Sequence, residues 1–302
     1  MMNLKTQGIS PASWIVGLIA LISAAAGSAL HAQDVRSECE RSYRGWVNAN
    51  ERKDFRSWER NVAKHRFALT HNMVKSRKDE WPKVLFQIPF RAPDIATLRH
   101  MATFQEGPTA HLIYYGKVDF GVLDPGEEAP ENILMLRFVK ETSGWKFDNT
   151  RFFNLAGDPG AQEMAKKGDL SILTDDRFQP TGVKPEVPRL IQPPDYVGEM
   201  WIASIGYETK ITISDLHTSV VGNNVVTDLV IGGLSRNGHP IKIEVEELEV
   251  PEDVERRFEF EIYALRPGKK AHRVWQWKPK PEEVLKGHES KVWANAVTIP
   301  GG

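Results

Sequence analysis

The sequence predicts an α+β protein with two β-rich domains behind a secretory signal. Three observations lead to this class. Apolar residues recur at helical spacing near residue 40, and after about residue 84 they alternate as in strands. A run of prolines then separates two strand-rich regions. We expect a curved antiparallel sheet with helices over residues 33–155, a connector over 156–198 and a C-terminal β-sandwich over 199–302.

The first 32 residues have the pattern of a cleavable signal peptide. Lys5 precedes an apolar run of about 13 residues from Trp14 to Ala26, which fits a signal core and is short for a membrane span. Ala32 suits the position before the cut, and an uncleaved anchor is the alternative. We therefore expect export, to the periplasm or the exterior if the source is bacterial.

Composition limits the classes of partner and cofactor. The chain has 39 Lys and Arg against 40 Asp and Glu, so no basic excess favours nucleic acid. No later apolar stretch is long enough to span a membrane. The single cysteine, Cys39, excludes an internal disulfide and a Cys-rich metal site. We expect no cofactor and no metal.

Two helices are predicted at the start of the first domain. The first carries one apolar stripe, formed by Cys39, Tyr43, Trp46 and Val47. Asp54 can cap a second helix, whose stripe is Phe55, Trp58 and Val62. Residues 64–83 are strongly basic and indicate a solvated helix face.

Strand patterns follow the helices. Residues 84–88, 111–122 and 133–139 are rich in β-branched, aromatic and other apolar side chains. Gly144 then supplies the turn of a hairpin, and residues 145–148 alternate again. The order is therefore two helices, a connection and an antiparallel meander, whose sheet can wrap on the helices.

Two stretches carry a resemblance to a known superfamily. Residues 43–55, Tyr-Arg-Gly-Trp-Val-Asn-Ala-Asn-Glu-Arg-Lys-Asp-Phe, and the later Gly-Trp-Lys-Phe-Asp of residues 144–148 resemble the nuclear-transport-factor-two-like superfamily, which also contains ketosteroid isomerase. The resemblance covers roughly residues 35–155. It implies a cone-like fold in which sheet and helices enclose a pocket.

The implied cone defines a set of candidate pocket residues. Isomerase-type catalysis needs a carboxylate base and an oxyanion donor in an apolar cavity. The candidates are Tyr43, Tyr114, Asp119 and Asp148, with His100 and Arg137 as helpers. Their spacing does not place any two in one cavity, and a packing domain or a non-catalytic pocket is the alternative, because fold alone does not fix function.

The connector begins at Asp158-Pro159-Gly160 and is expected to hold a short helix, residues 161–167, ended by Gly168. Five prolines follow, so the segment cannot be a central strand. Beyond it, strands are predicted at 208–213, 225–231, 241–245 and 258–263, with a turn at Asn237-Gly238. This spacing favours a sandwich of immunoglobulin-like or jelly-roll type.

Paired tryptophans mark the second domain. Trp275 and Trp277 are two residues apart on a predicted strand, so both rings project from one face. An exposed pair would form a platform for sugar rings. The alternative, which we favour, is that both rings face the core, because a buried tryptophan contributes a large apolar area.

No catalytic motif is present in the sequence. It lacks a phosphate-binding loop, a His-Glu-x-x-His zinc motif and a Gly-x-Ser-x-Gly elbow. The leading hypothesis is an exported, non-enzymatic binding or scaffolding protein of the cell envelope. The alternatives are an isomerase or hydrolase acting in the cone pocket and carbohydrate binding by the sandwich. The expected partner of the protein is another envelope protein, a small apolar ligand or a glycan.

Overall fold

In the computed structural model, the described residues are 34–87, 91–121, 127–214, 216–251 and 253–294, without the side chain of residue 217. The expected signal peptide, residues 1–32, lies outside them. Within the described part of the chain, no helix is long and apolar enough to cross a membrane. The protein combines helices with two separate β-sheets.

The chain divides into two compact units. The first contains Met1–Ala63 and Pro89–Pro185, and the second contains Lys64–Ile88 and Glu186–Gly302. The contacts thus group residues 64–88 with the second unit, whereas the sequence pattern predicts them in the N-terminal domain.

The first unit is built on a four-stranded antiparallel sheet. Its strands are joined in chain order, each to the next, as the expected meander. Each strand and its bounds are β1 (Arg99–Glu106), β2 (Thr109–Lys117), β3 (Glu131–Glu141) and β4 (Gly144–Phe153). Gly144 has φ +100° in the predicted turn. Strand β1 was not predicted, because its pattern mixes charged, polar and apolar residues.

Both faces of this sheet are buried. Helix α1, residues 34–52, covers one face, where Cys39 and Tyr43 pack against Leu112 and Leu136. Helix α4 (Pro159–Lys167) and the 3-10 turns after it cover the other face. Double burial explains why β2 and β3 are nearly continuous apolar runs rather than alternating ones. The expected short helix and its Gly168 end, at φ +80°, are both confirmed.

Ser42 joins three elements of the first unit. Its hydroxyl donates to the Asn61 carbonyl at 3.0 Å and accepts from the Phe147 amide at 3.0 Å. Asn61 ends helix α2 (Phe55–Asn61), which begins at the predicted Asp54 cap, whose carboxylate accepts from Ser57 N. The Ala63 amide then donates to Phe147 O at 2.8 Å. One buried hydroxyl therefore fixes α1 and α2 against β4.

The predicted strand at 84–88 is wrong for the residues that are described. Lys83–Phe86 form a 3-10 helix, and Ile88 lies outside the described residues. The apolar run is only a few residues long, which periodicity alone cannot assign. Pro82 directly before it has φ −92° and ψ 4°, a helical-turn conformation rather than an extended one.

Helix α3 (Lys64–Ser76) corrects the expectation of a purely solvated basic helix. Its buried face is partly polar, with Asn72 and Ser76 almost fully buried. The Asn72 amide donates to Arg189 O at 2.9 Å and its oxygen accepts from Ile191 N at 3.1 Å. Ser76 accepts from Gly232 N at 2.8 Å. Asn72 thus satisfies backbone groups of the proline-rich connector, and Ser76 satisfies one in the turn after β6.

The second unit contains one six-stranded sheet. Hydrogen bonds connect all six strands in the order β10-β7-β5-β8-β9, with β6 on β5. The strands predicted at 208–213, 241–245 and 258–263 lie within longer ones, and the strand predicted at 225–231 ends at Leu229. Their bounds are β5 (Val197–Ile213), β6 (His217–Leu229), β7 (His239–Glu247), β8 (Arg257–Leu265), β9 (His272–Trp277) and β10 (His288–Val292), with helix α5 (Pro281–Val284) before β10.

A bend in β5 folds this sheet over its own core. The first half of β5, to Ile205, pairs with β8, and the second half, from Tyr207, pairs with β7. Gly206 lies between the halves at φ +77°, and its amide donates to the Asn223 side chain at 3.1 Å. Ile202 and Ile211, from opposite sides of the bend, share one core. The two halves of the bent sheet face each other across this core. In a sandwich, two separate sheets take these positions.

We expect Ser42→Ala to lower the free energy of unfolding by about 1–3 kcal/mol, because it leaves the buried Phe147 amide and Asn61 carbonyl without this partner. Urea unfolding at neutral pH measures the change. Ser143→Ala, in an exposed turn, is the control and should change stability by less than about 0.5 kcal/mol. Equal effects of the two substitutions would contradict the role assigned to Ser42.

Candidate functional site

The sheet of the first unit separates the six candidate pocket residues. Tyr43, His100 and Tyr114 lie on the α1 side, where the Tyr43 and Tyr114 rings belong to the core. Arg137 and Asp148 lie on the opposite side, because their neighbours Leu136 and Phe147 point toward α1. The sixth residue, Asp119, follows the end of β2. The six residues therefore do not line one pocket.

Glu40 is the centre of the polar group on the α1 side. Its carboxylate accepts from Arg36 Nε at 2.7 Å, Arg44 Nη2 at 2.9 Å and Tyr114 OH at 3.1 Å. Burial by itself raises the pKa of Glu40, but these hydrogen bonds and the two arginine charges outweigh it and lower the pKa. An ionised carboxylate held by three donors is a poor proton donor and a weak base.

Glu40 is not among the residues predicted from the sequence. The signal was present, because Arg36 and Arg44 flank Glu40 at four-residue spacing on one helix. That spacing reads as an ordinary surface ion pair, and only the sheet placement of Tyr114 turns it into a half-buried network.

The two candidate tyrosines are fixed as hydrogen-bond donors. Tyr43 OH donates to Pro93 O at 2.8 Å, and its ring lies 5.3 Å from the Phe147 ring, centroid to centroid. Burial raises the pKa of both Tyr43 and Tyr114 well above the usual range. Each ring is 1% exposed, so the space between α1 and the sheet is occupied by side chains at these positions.

His100 completes the α1 side. Its ring packs edge-on against Tyr114 at 5.4 Å, and Nε2 lies 2.9 Å from Thr103 Oγ1. Burial, helped by the nearby Arg36 charge, lowers the pKa of His100 to about 4. The imidazole is therefore neutral at neutral pH, as a packing group would be.

A second polar group lies on the opposite side of the same sheet. Arg137 Nε is 3.9 Å from the buried Asp148 carboxylate, next to a bulge that inserts Asp148 into β4. His111 pairs with Arg137 across β2 and β3, and its Nδ1 donates to Phe178 O at 2.8 Å. Burial lowers the pKa of His111. His111 was missed from sequence, since its neighbours 110–115 form an apolar run with no sign of a polar partner.

Asp119 serves a turn. Its Oδ1 accepts from Gly121 N at 2.6 Å, two residues further on. Among the residues that the structure describes, no group of three or more His, Cys, Asp or Glu side chains could hold a metal ion. Cys39 is buried against the sheet, where burial raises the pKa of its thiol.

Trp275 and Trp277 pack toward the core of the second unit and are half-buried. The Trp275 ring lies 5.6 Å from Phe260, and the Trp277 ring lies 5.1 Å from Phe258. His288, from β10, stacks on Trp277 at 4.8 Å with 19° between the planes, and lies 5.6 Å from Trp275. We call these three rings the aromatic clasp. It joins β9 to β10, the two ends of the strand order.

A shallow groove of about 460 Å³ lies beside the start of β10. Strand β7 and the turn before β10 line it, with Glu244, Glu246, Lys286 and Glu289 among the lining residues. Ligand pockets for small molecules are mostly apolar and enclosed. The charged, exposed lining of this groove does not match that chemistry.

Comparison with family models, curated proteins and solved structures finds no match to this chain. The resemblance to the nuclear-transport-factor-two-like superfamily therefore stays a prediction.

We expect acid to destabilise the protein through His100. Its pKa is lowered on folding, so the neutral ring stabilises the fold above about pH 6.5, and this contribution is lost as pH falls toward about 4. His100→Gln should lose less stability than the wild type between pH 7 and pH 4 in urea unfolding. An NMR titration that places the His100 ring near 6.5 would contradict this account.

We expect Trp277→Ala to lower the free energy of unfolding by about 2–3 kcal/mol, since it removes a half-buried ring from the aromatic clasp. Trp293→Ala is the matched control, because Trp293 is among the exposed large side chains, and it should cost less than about 1 kcal/mol. Guanidinium unfolding measures both. A similar loss in the two variants would show that the clasp adds nothing to the fold.

Proposed function

We propose that this is an exported protein of the cell envelope that acts by binding or scaffolding rather than by catalysis. The observation that carries the proposal is that acid and base groups of the first unit are hydrogen-bonded to other groups of the protein. Glu40, Tyr43, Tyr114 and Asp119 each contact a structural partner at 3.1 Å or less. Catalysis needs such groups to face a substrate and to have a pKa near the working pH.

The electrostatics on the α1 side support the same conclusion. The pKa of Glu40 is lowered and the pKa of Tyr114 is raised, so both values lie further from pH 7 than the usual ones. The lowered pKa of His100 does the same for the imidazole. General acid–base chemistry at neutral pH would need shifts in the opposite directions.

We also propose the finer fold assignments. Two helices followed by a four-stranded antiparallel meander support a cone-like first unit of the nuclear-transport-factor-two-like kind. A core shared by both halves of β5 supports a sandwich-like second unit. Both assignments are architectures that are used widely for binding, and neither fixes a ligand.

The carbohydrate alternative loses its main support. A sugar platform needs an open aromatic face, but one face of Trp277 is covered by His288. Trp275 also packs near His288 and Phe260. Both tryptophans instead contribute to closing the second unit.

Site-specific photo-crosslinking in the source cells tests the binding role. The crosslinking amino acid replaces three of the exposed apolar residues, Phe152, Val183 and Leu190. It also replaces two exposed polar residues as controls, Glu51 and Lys269. We expect the apolar positions to yield the same envelope protein or glycan repeatedly, because exposed apolar side chains favour interfaces. The control positions should yield little.

A parallel assay tests for catalysis. We expect the purified protein to give no turnover of an apolar unsaturated ketone or an apolar ester above background. Turnover that is lost in folded Asp148→Asn or Tyr114→Phe variants would overturn the proposal. Absence of crosslinks from all three apolar positions would equally count against it.

A further inference from the structure

The outer edge of β6 has no partner strand among the described residues. Strand β6 pairs with β5 along one edge. The paired region runs from His217 opposite Ile213 to Leu229 opposite Glu199. No other described strand pairs with it. Its second edge therefore presents backbone donors and acceptors that another strand could bind.

The composition of β6 lacks the usual protection of an edge. Residues 218–229 contain a single charged side chain, Asp228, and no proline or lysine. The other outer strands each carry charges within their bounds, which discourage pairing. These charges are Arg99 and Glu106 on β1, Lys146 and Arg151 on β4, Arg273 on β9, and Glu289 and Lys291 on β10.

Two valines stand out on the solvent side of β6. Val220 is 60% exposed and Val225 is 47% exposed. Exposed β-branched residues on an uncharged edge favour cross-strand contact with another strand. Ser219 and Val221, on the core side, are buried, so the exposed valines belong to the outward face.

We propose that β6 pairs with β6 of a second copy of this chain, antiparallel, about a twofold axis between residues 222 and 223. This register places Val220 opposite Val225 and Thr218 opposite Thr227. All four residues are exposed in the single chain. It also places Ser219 opposite Val226, and both of these lie on the core side.

The facing of the side chains makes this register consistent. Outward residues have even numbers before residue 222 and odd numbers after it, because the strand bends near Asn223, at φ +42°. An antiparallel pair keeps opposing side chains on the same face. The change of parity at the bend is what lets an outward residue of one half oppose an outward residue of the other half.

The bend also favours a second copy over an unrelated straight peptide. Strands β5 and β6 bend together, at Gly206 and Asn223, and pair on both sides of the bend. A strand added to β6 must follow the same path. A second β6 has the matching bend near its own middle, so twofold pairing brings the two bends together.

Sedimentation equilibrium of the purified protein tests the proposal. We expect a dimer whose dissociation constant rises about tenfold or more in Val220→Lys/Val225→Lys, which places like charges across the paired edge. Val187→Lys is the matched control, because Val187 is 51% exposed and lies outside β6. It should leave the dissociation constant unchanged, and circular dichroism should report the same fold for all three proteins.

Hydrogen exchange gives an independent readout. Above the dissociation constant, amides of β6 should exchange more slowly than below it, and this difference should vanish in the double variant. A monomeric wild type at about 1 mM would overturn the proposal. A dimer that persists in the double variant would overturn it as well, and a peptide that binds β6 of a monomer would assign the edge to another partner.

Discussion

In the first unit, two hydrophobic cores pack on opposite faces of the same four-stranded sheet. Because β2 and β3 are covered on both sides, each polar group on those faces needs a partner inside the protein. Glu40 meets this need for Tyr114 on the α1 side, and Phe178 O meets it for His111 on the other. The titratable groups that resemble a catalytic set are thus explained by the burial of the sheet.

In the second unit, a single sheet must enclose a core. Its sheet bends at Gly206, so that one set of strands forms both walls of a core. The ends of the strand order are then held by the aromatic clasp, in which His288 stacks on Trp277. Asn72 of helix α3 hydrogen-bonds the connector backbone at Arg189 and Ile191, and Ser76 accepts from the Gly232 amide after β6. Side-chain packing and these polar contacts stabilise the second unit, which contains no cysteine.

Local patterns predicted local structure well. The Asp54 cap, the Gly144 turn and the Gly168 helix end were correct because each depends on a few neighbouring residues. The candidate pocket was not predictable, since Tyr114 and Asp148 reach opposite faces only through strand register and the bulge in β4. The continuous second sheet was missed because the bend reverses the alternation. The buried residues of β5 are even-numbered before Gly206, as at Ile202, and odd-numbered after it, as at Ile211, which is the pattern of two separate strands.

The space between α1 and the sheet is occupied by Tyr43, Tyr114 and their almost fully buried neighbours. Xenon binding tests this directly, since xenon enters apolar cavities that stay empty of water. Diffraction from crystals held under xenon pressure should reveal no xenon atom between α1 and β2–β4. A well-occupied xenon site beside Tyr43 and Tyr114 would contradict the account and would restore the pocket that an enzyme or a small-ligand receptor requires.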